Sequence, residues 1–124
     1  MNLRRLEILQ WTGLLFGALA FTAGHVVGYG LTEAQCGRGG VHWGISNSFW
    51  QGLLMTVAGA LVLAAAGAAA AVVSQTRRVS YESPPPQGRI RFFAIAALAA
   101  NVIFLMIVLL DALGTIFNVA CRQS

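Results

Sequence analysis

The stretch from Phe92 to Leu110, FFAIAALAANVIFLMIVLL, decides the fold: it carries no charge, and Asn101 is its only strongly polar side chain. A helix rises about 1.5 Å per residue and the hydrocarbon core of a bilayer is about 30 Å thick, so roughly 20 such residues cross it. Two further uncharged runs, Ile8 to Leu31 and Phe49 to Val73, reach the same length, and the third resumes after Asp111 to about Ala120. The whole chain of 124 residues is 57% hydrophobic and 10% charged, with a mean hydropathy of +0.72. A water-soluble domain of this size cannot hide that much apolar surface, and disorder or a secreted disulfide knot is excluded by the same composition. The expected fold is an all-α membrane protein forming a single transmembrane domain over residues 1–124. Its three transmembrane helices are expected at about 8–31, 49–73 and 92–120, joined by an outer loop 32–48 and an inner loop 74–91.

Charge sets the expected orientation. All eight basic residues are arginines; Arg4 and Arg5 precede the first run, and Arg77, Arg78, Arg89 and Arg91 lie between the second and the third. The positive-inside bias makes that side cytoplasmic, with the N-terminus inside and the C-terminus in the periplasm. Met1 reads as the true start, because the first run is too long for a signal peptide and lacks a small-residue cleavage site. The net charge of +4 and pI near 10.1 then follow from topology and from contact with anionic phospholipid, with no call for nucleic acid.

The two cysteines, Cys36 and Cys121, both fall on the outer side at the ends of helices 1 and 3. An even pair on the oxidising face of a bacterial inner membrane reads as a disulfide. A metal site built from Cys36, His42 and Cys121 lacks any CxxC-type spacing, and no metal is expected.

His25 and Asp111 are the strongly polar titratable residues inside the spans, where an ionisable group calls for a named partner. His25 lies 17 residues after Ile8 and Asp111 lies 19 after Phe92, which puts both about 26 to 28 Å from the inner boundary on parallel helices. Cys36 follows His25 by 11 residues and Cys121 follows Asp111 by 10, so the register repeats. Helices 1 and 3 should face each other with His25 and Asp111 as an intramembrane polar pair. Haem ligation by His25, or a role in a proton or quinone path, is the sharper alternative.

Bis-histidine haem ligation needs two histidines on helices, whereas His42 lies in the Gly-rich outer loop beside Trp43, where an aromatic side chain anchors at headgroup depth. No CxxCH sequence, phosphate-binding loop or Ser/His/acid spacing occurs, so no catalytic residue is assigned and an enzyme is not expected. No cofactor of its own is expected beyond bound lipid. The inner Ser83-Pro84-Pro85-Pro86 run reads as a stiff polyproline-type spacer or a stop to helix 2. Gly13, Gly17, Gly24 and Gly28 in helix 1, with the alanine-rich helix 2, form small-residue faces suited to close helix packing. Those faces require neighbours that helix 3 alone does not supply, so other chains should cover them.

The stretch Gly24-His25-Val26-Val27-Gly28-Tyr29-Gly30-Leu31-Thr32-Glu33-Ala34-Gln35-Cys36 and the closing Asn118-Val119-Ala120-Cys121-Arg122-Gln123-Ser124 resemble small three-helix membrane proteins found with bacterial haem-copper cytochrome c oxidases. The resemblance covers about a fifth of the chain and implies an accessory subunit whose partners are other subunits of a membrane complex and phospholipid. It carries no catalytic or cofactor-binding residue onto this sequence. Other readings are an accessory subunit of a photosynthetic reaction centre, an assembly factor, and a small homo-oligomeric transporter or channel with Asn101 and Asp111 lining a pore.

Overall fold

The computed structural model describes residues 2–37, 39–40, 44–117 and 121. Three helices make up the fold: α1 (Leu3–Cys36), α2 (Asn47–Gln75) and α3 (Gln87–Phe117), each long and apolar enough to cross a membrane. No strand occurs among the described residues.

Each helix runs past the uncharged stretch that announces it. α1 begins at Leu3 rather than near Ile8, because the Asn2 side chain caps it by accepting the Arg5 N–H at 3.0 Å. α2 begins at Asn47, where the Ser46 hydroxyl accepts the Phe49 N–H at 3.3 Å. A count of uncharged residues finds the part of a helix that suits hydrocarbon, while backbone hydrogen bonding carries the helix on into polar surroundings. The connections are correspondingly shorter than the loops expected over 32–48 and 74–91. At the far end α3 stops at Phe117, and residues 118–120, expected as its last turn, lie outside the described residues.

Two ties fix how the helices run. At one end Arg89 Nη2, in the first turn of α3, donates to Glu7 Oε1 of α1 at 2.8 Å. At the other, Cys36 at the end of α1 is bonded to Cys121 beyond α3. α1 and α3 are therefore parallel, and α2 returns between them.

The contact between α1 and α2 is made by glycine against alanine. A Cβ added at Gly13 would lie 3.0 Å from Ala69 Cβ, at Gly17 3.2 Å from Ala65 Cβ, and at Gly24 3.0 Å from Ala58 Cβ. The partner number falls as the glycine number rises, which is an antiparallel register held over about three turns of backbone-to-backbone approach. This corrects the expectation that other chains cover the glycine face of helix 1: the chain's own α2 fills it, joined at Gly17 by Asn101 of α3. Ala58, Ala65 and Ala69 are buried for the same reason.

At the arginine-rich end, Leu6, Val72, Ile90 and Ala94 close the core, with Leu9 and Val73 packed against them. The end of α2 is held there by side chains. Thr76 donates its hydroxyl to the Val72 carbonyl at 2.8 Å, and Arg91 donates to the Thr76 carbonyl while lying 5.2 Å from the Tyr81 ring centroid. The prolines of the Ser83–Pro86 run stay exposed, and the run is bounded by local bonds: the Ser83 N–H donates to the Ser80 carbonyl, and the Ile90 N–H donates to the Pro86 carbonyl at the start of α3.

Candidate functional site

Polar groups inside the bundle are few, and the structure gathers them at two levels. The first lies about a third of the way along α1, where residues Thr12–Phe16 form a π turn. Asn101 of α3, buried at 1% exposure, donates its Nδ2 to the Gly13 carbonyl in that turn at 2.8 Å. Hydrogen bonding to a carbonyl of a neighbouring helix keeps a carboxamide out of lipid. Gln10, one turn before Gly13, is buried as well, and neither of its amide atoms is bonded to a described residue.

The second level lies near the disulfide end and is the candidate site. His25 Nδ1 of α1 is 3.1 Å from Asp111 Oδ2 of α3, so the sequence-derived pair meets across parallel helices. Their side chains keep 57% and 36% of their surface exposed, so the pair opens sideways instead of being sealed in the core. The Phe21 ring lies 5.6 Å from the imidazole and stacks on Phe104 at 4.9 Å, which steadies His25 one turn along α1.

A third helix contributes groups that the sequence reading did not assign. Gln51 of α2 donates its Nε2 to the Gly28 carbonyl at 2.7 Å and to Thr32 Oγ1 at 2.8 Å. The Thr32 hydroxyl donates to that same Gly28 carbonyl at 3.1 Å, and the Asn47 carboxamide lies 3.4 Å from Thr32 Oγ1. Gly28 is what lets Gln51 approach, since a Cβ there would lie 2.9 Å from Gln51 Oε1. The available signal was the i, i+4 spacing of Asn47 and Gln51, which puts two carboxamides on one helical face at the depth of Thr32. It goes unread when residues up to Ser48 are assigned to a loop.

His25, Asp111, Gln51 and Thr32 surround a cavity of about 400 Å³ at the disulfide end, with Cys121 at its edge. The cross-link spans 85 positions of sequence and fixes α1 to the chain beyond α3 beside this cavity. Among the described residues no group of three His, Cys, Asp or Glu side chains could hold a metal ion. His42 and Trp43 lie outside the described residues. Asn101 is inside the three-helix bundle and not on the outer surface where a pore between copies would run.

Comparison with models of protein families, with curated proteins and with solved structures found no match to this chain.

Proposed function

We propose that this chain is a non-catalytic accessory subunit that stabilises a bioenergetic membrane complex, a respiratory cytochrome c oxidase or supercomplex of the bacterial inner membrane. The observation that supports the reading is how its polar groups are used. Asn101 is bonded to Gly13, Gln51 to Gly28 and Thr32, Arg91 to Thr76, Arg89 to Glu7 and Cys36 to Cys121, and each of these bonds secures one segment of the chain to another. A bundle cross-braced at both ends and at its middle offers neighbours a stiff apolar surface, which is what a packing subunit contributes. The kind of complex follows from the resemblance around Gly24–Cys36. The reading as a pore shared between copies is weaker, because its most central polar group, Asn101, is spent inside one chain.

The orientation belongs to the same reading. Arg4, Arg5, Arg77, Arg78 and Arg89 are all exposed at the end where Arg89 meets Glu7, and positive-inside bias puts that end in the cytoplasm. The disulfide then lies on the periplasmic side, where it persists.

A deletion strain tests the role. The parent complex lacking this chain should keep turnover and lose stability towards detergent or an attachment between subunits. Complete loss of turnover in a complex otherwise fully assembled would refute the accessory role.

A further inference from the structure

Gln10 is the polar side chain that the bracing of the bundle does not use. It keeps 1% of its surface exposed, and neither Nε2 nor Oε1 is bonded to a described residue. The other carboxamides between the helices are committed, Asn101 to the Gly13 carbonyl and Gln51 to Gly28 and Thr32. A carboxamide taken out of water without a hydrogen bond is strongly unfavourable, so buried polar groups of this kind are matched by a partner.

The place of Gln10 in the bundle narrows what that partner is. Gly13 stands against Ala69 of antiparallel α2 and is bonded by Asn101 of parallel α3, so one turn earlier Gln10 is level with Val72 and with Ala97. Both are fully buried, and neither side chain can donate or accept. Directly after Gln10, α1 widens into the π turn Thr12–Phe16, and the Gly13 carbonyl of that turn accepts from another helix. Carbonyls of the wide turn therefore serve groups outside their own helix. At the far end of the turn Asn101 Oδ1 lies over Gly17 and is a further buried acceptor without a bond.

An exposure of 1% leaves neither a lipid nor a side chain of another protein a way to Gln10, so its partner is small enough to be enclosed with it. An ion would find no free counter-charge there. The nearest acidic side chain, Glu7, is paired with Arg89, and Arg91 is spent on the Thr76 carbonyl and the Tyr81 ring. We infer that the Gln10 carboxamide binds internal water at the entrance to the π turn. Water donates to Oε1 and accepts from Nε2, and backbone carbonyls of the turn, each with a second lone pair, complete the roughly three bonds that a buried water makes. The turn becomes a hydrated joint where α1 meets both other helices. The site is a property of this chain alone, so a dry Gln10 would leave the accessory role standing.

The test uses the full chain with its disulfide intact, isotope-labelled at its glutamine side chains, in nanodiscs of deuterated phosphatidylcholine. Magnetic resonance cross-relaxation from the water signal reads which carboxamides touch water and for how long. The Gln10 side-chain protons should show a cross peak with the sign of a long-lived water contact. They should also exchange with deuterium much more slowly than those of Gln75 and Gln87, which are exposed to bulk solvent. Gln10→Met, similar in length and without a hydrogen-bonding amide, should abolish that cross peak. Absence of a water contact at Gln10 in the unaltered chain would overturn the inference, because the carboxamide would then be buried dry. Exchange as fast as that of Gln75 and Gln87 would overturn it as well, since the side chain would be open to bulk water and enclose nothing. A cross peak that persists in Gln10→Met would place the contact elsewhere and end the proposal. If Gln10→Met fails to fold, sequential backbone assignment of the unaltered chain identifies the Gln10 signal, and the contact and the exchange rate decide the matter without the variant.

Discussion

Asn101 carries more of the interior than its single side chain suggests, because its bond to the Gly13 carbonyl joins α3 to the π turn of α1 at mid-depth. Turns of this kind widen the helix locally and recur where a helix must present an unusual group. Asn101→Leu should lower unfolding stability in detergent by about 1 kcal/mol, the usual size of an interhelical hydrogen bond in a membrane bundle. Thermal unfolding followed by circular dichroism would measure it, and an unchanged midpoint would show that the bond contributes nothing. Asn101 was legible in the sequence as the lone carboxamide of an apolar run. Its partner was not, because a backbone carbonyl leaves no mark on the residue identity. The meeting of His25 with Asp111 could be anticipated from depth alone, since both helices rise by the same increment per residue. Gln51 and Thr32 escaped because they lie at the margin of the uncharged runs, where counting hydrophobic residues says least.

Among the helices, the glycine face of α1 decides the spacing to α2. Gly24→Val adds bulk where a Cβ would already stand 3.0 Å from Ala58, and the expected cost is about 1–3 kcal/mol of overpacking. Gly67→Val is the matched control, for a Cβ at Gly67 meets nothing within 4 Å and the side chain would point away from the bundle. Comparable losses for the two variants, measured as unfolding midpoints in the same detergent, would mean that helix propensity and not close packing governs this pair. The spacing of Gly13, Gly17, Gly24 and Gly28 was readable as a packing face. Which helix fills it was not, because small residues advertise close approach without naming a partner. The helix ends lie beyond the uncharged runs for a related reason: Asn2 and Ser46 cap segments that extend past the hydrocarbon-matching stretch.

At the scale of the molecule, the disulfide ties together positions separated by 85 residues and thereby encloses all of α2 and α3 in one loop. Closing a loop of that length removes much of the freedom of the unfolded chain, and reduction should cost about 2–4 kcal/mol. Unfolding of the same sample with and without reductant would show a lower midpoint on reduction; identical curves would assign the cross-link no part in stability. Cross-braces at both ends and a bonded middle hold the described helices to one another, and that bracing is the ground for proposing a subunit that packs. The most direct test is to purify the chain under mild detergent from its own membrane, identify by mass spectrometry what accompanies it, and record the absorption spectrum of that sample. The account predicts stoichiometric recovery with the subunits of a haem-copper oxidase and the haem bands those subunits bring. Recovery of this chain alone, as a monomer or a homo-oligomer without other subunits, would contradict it.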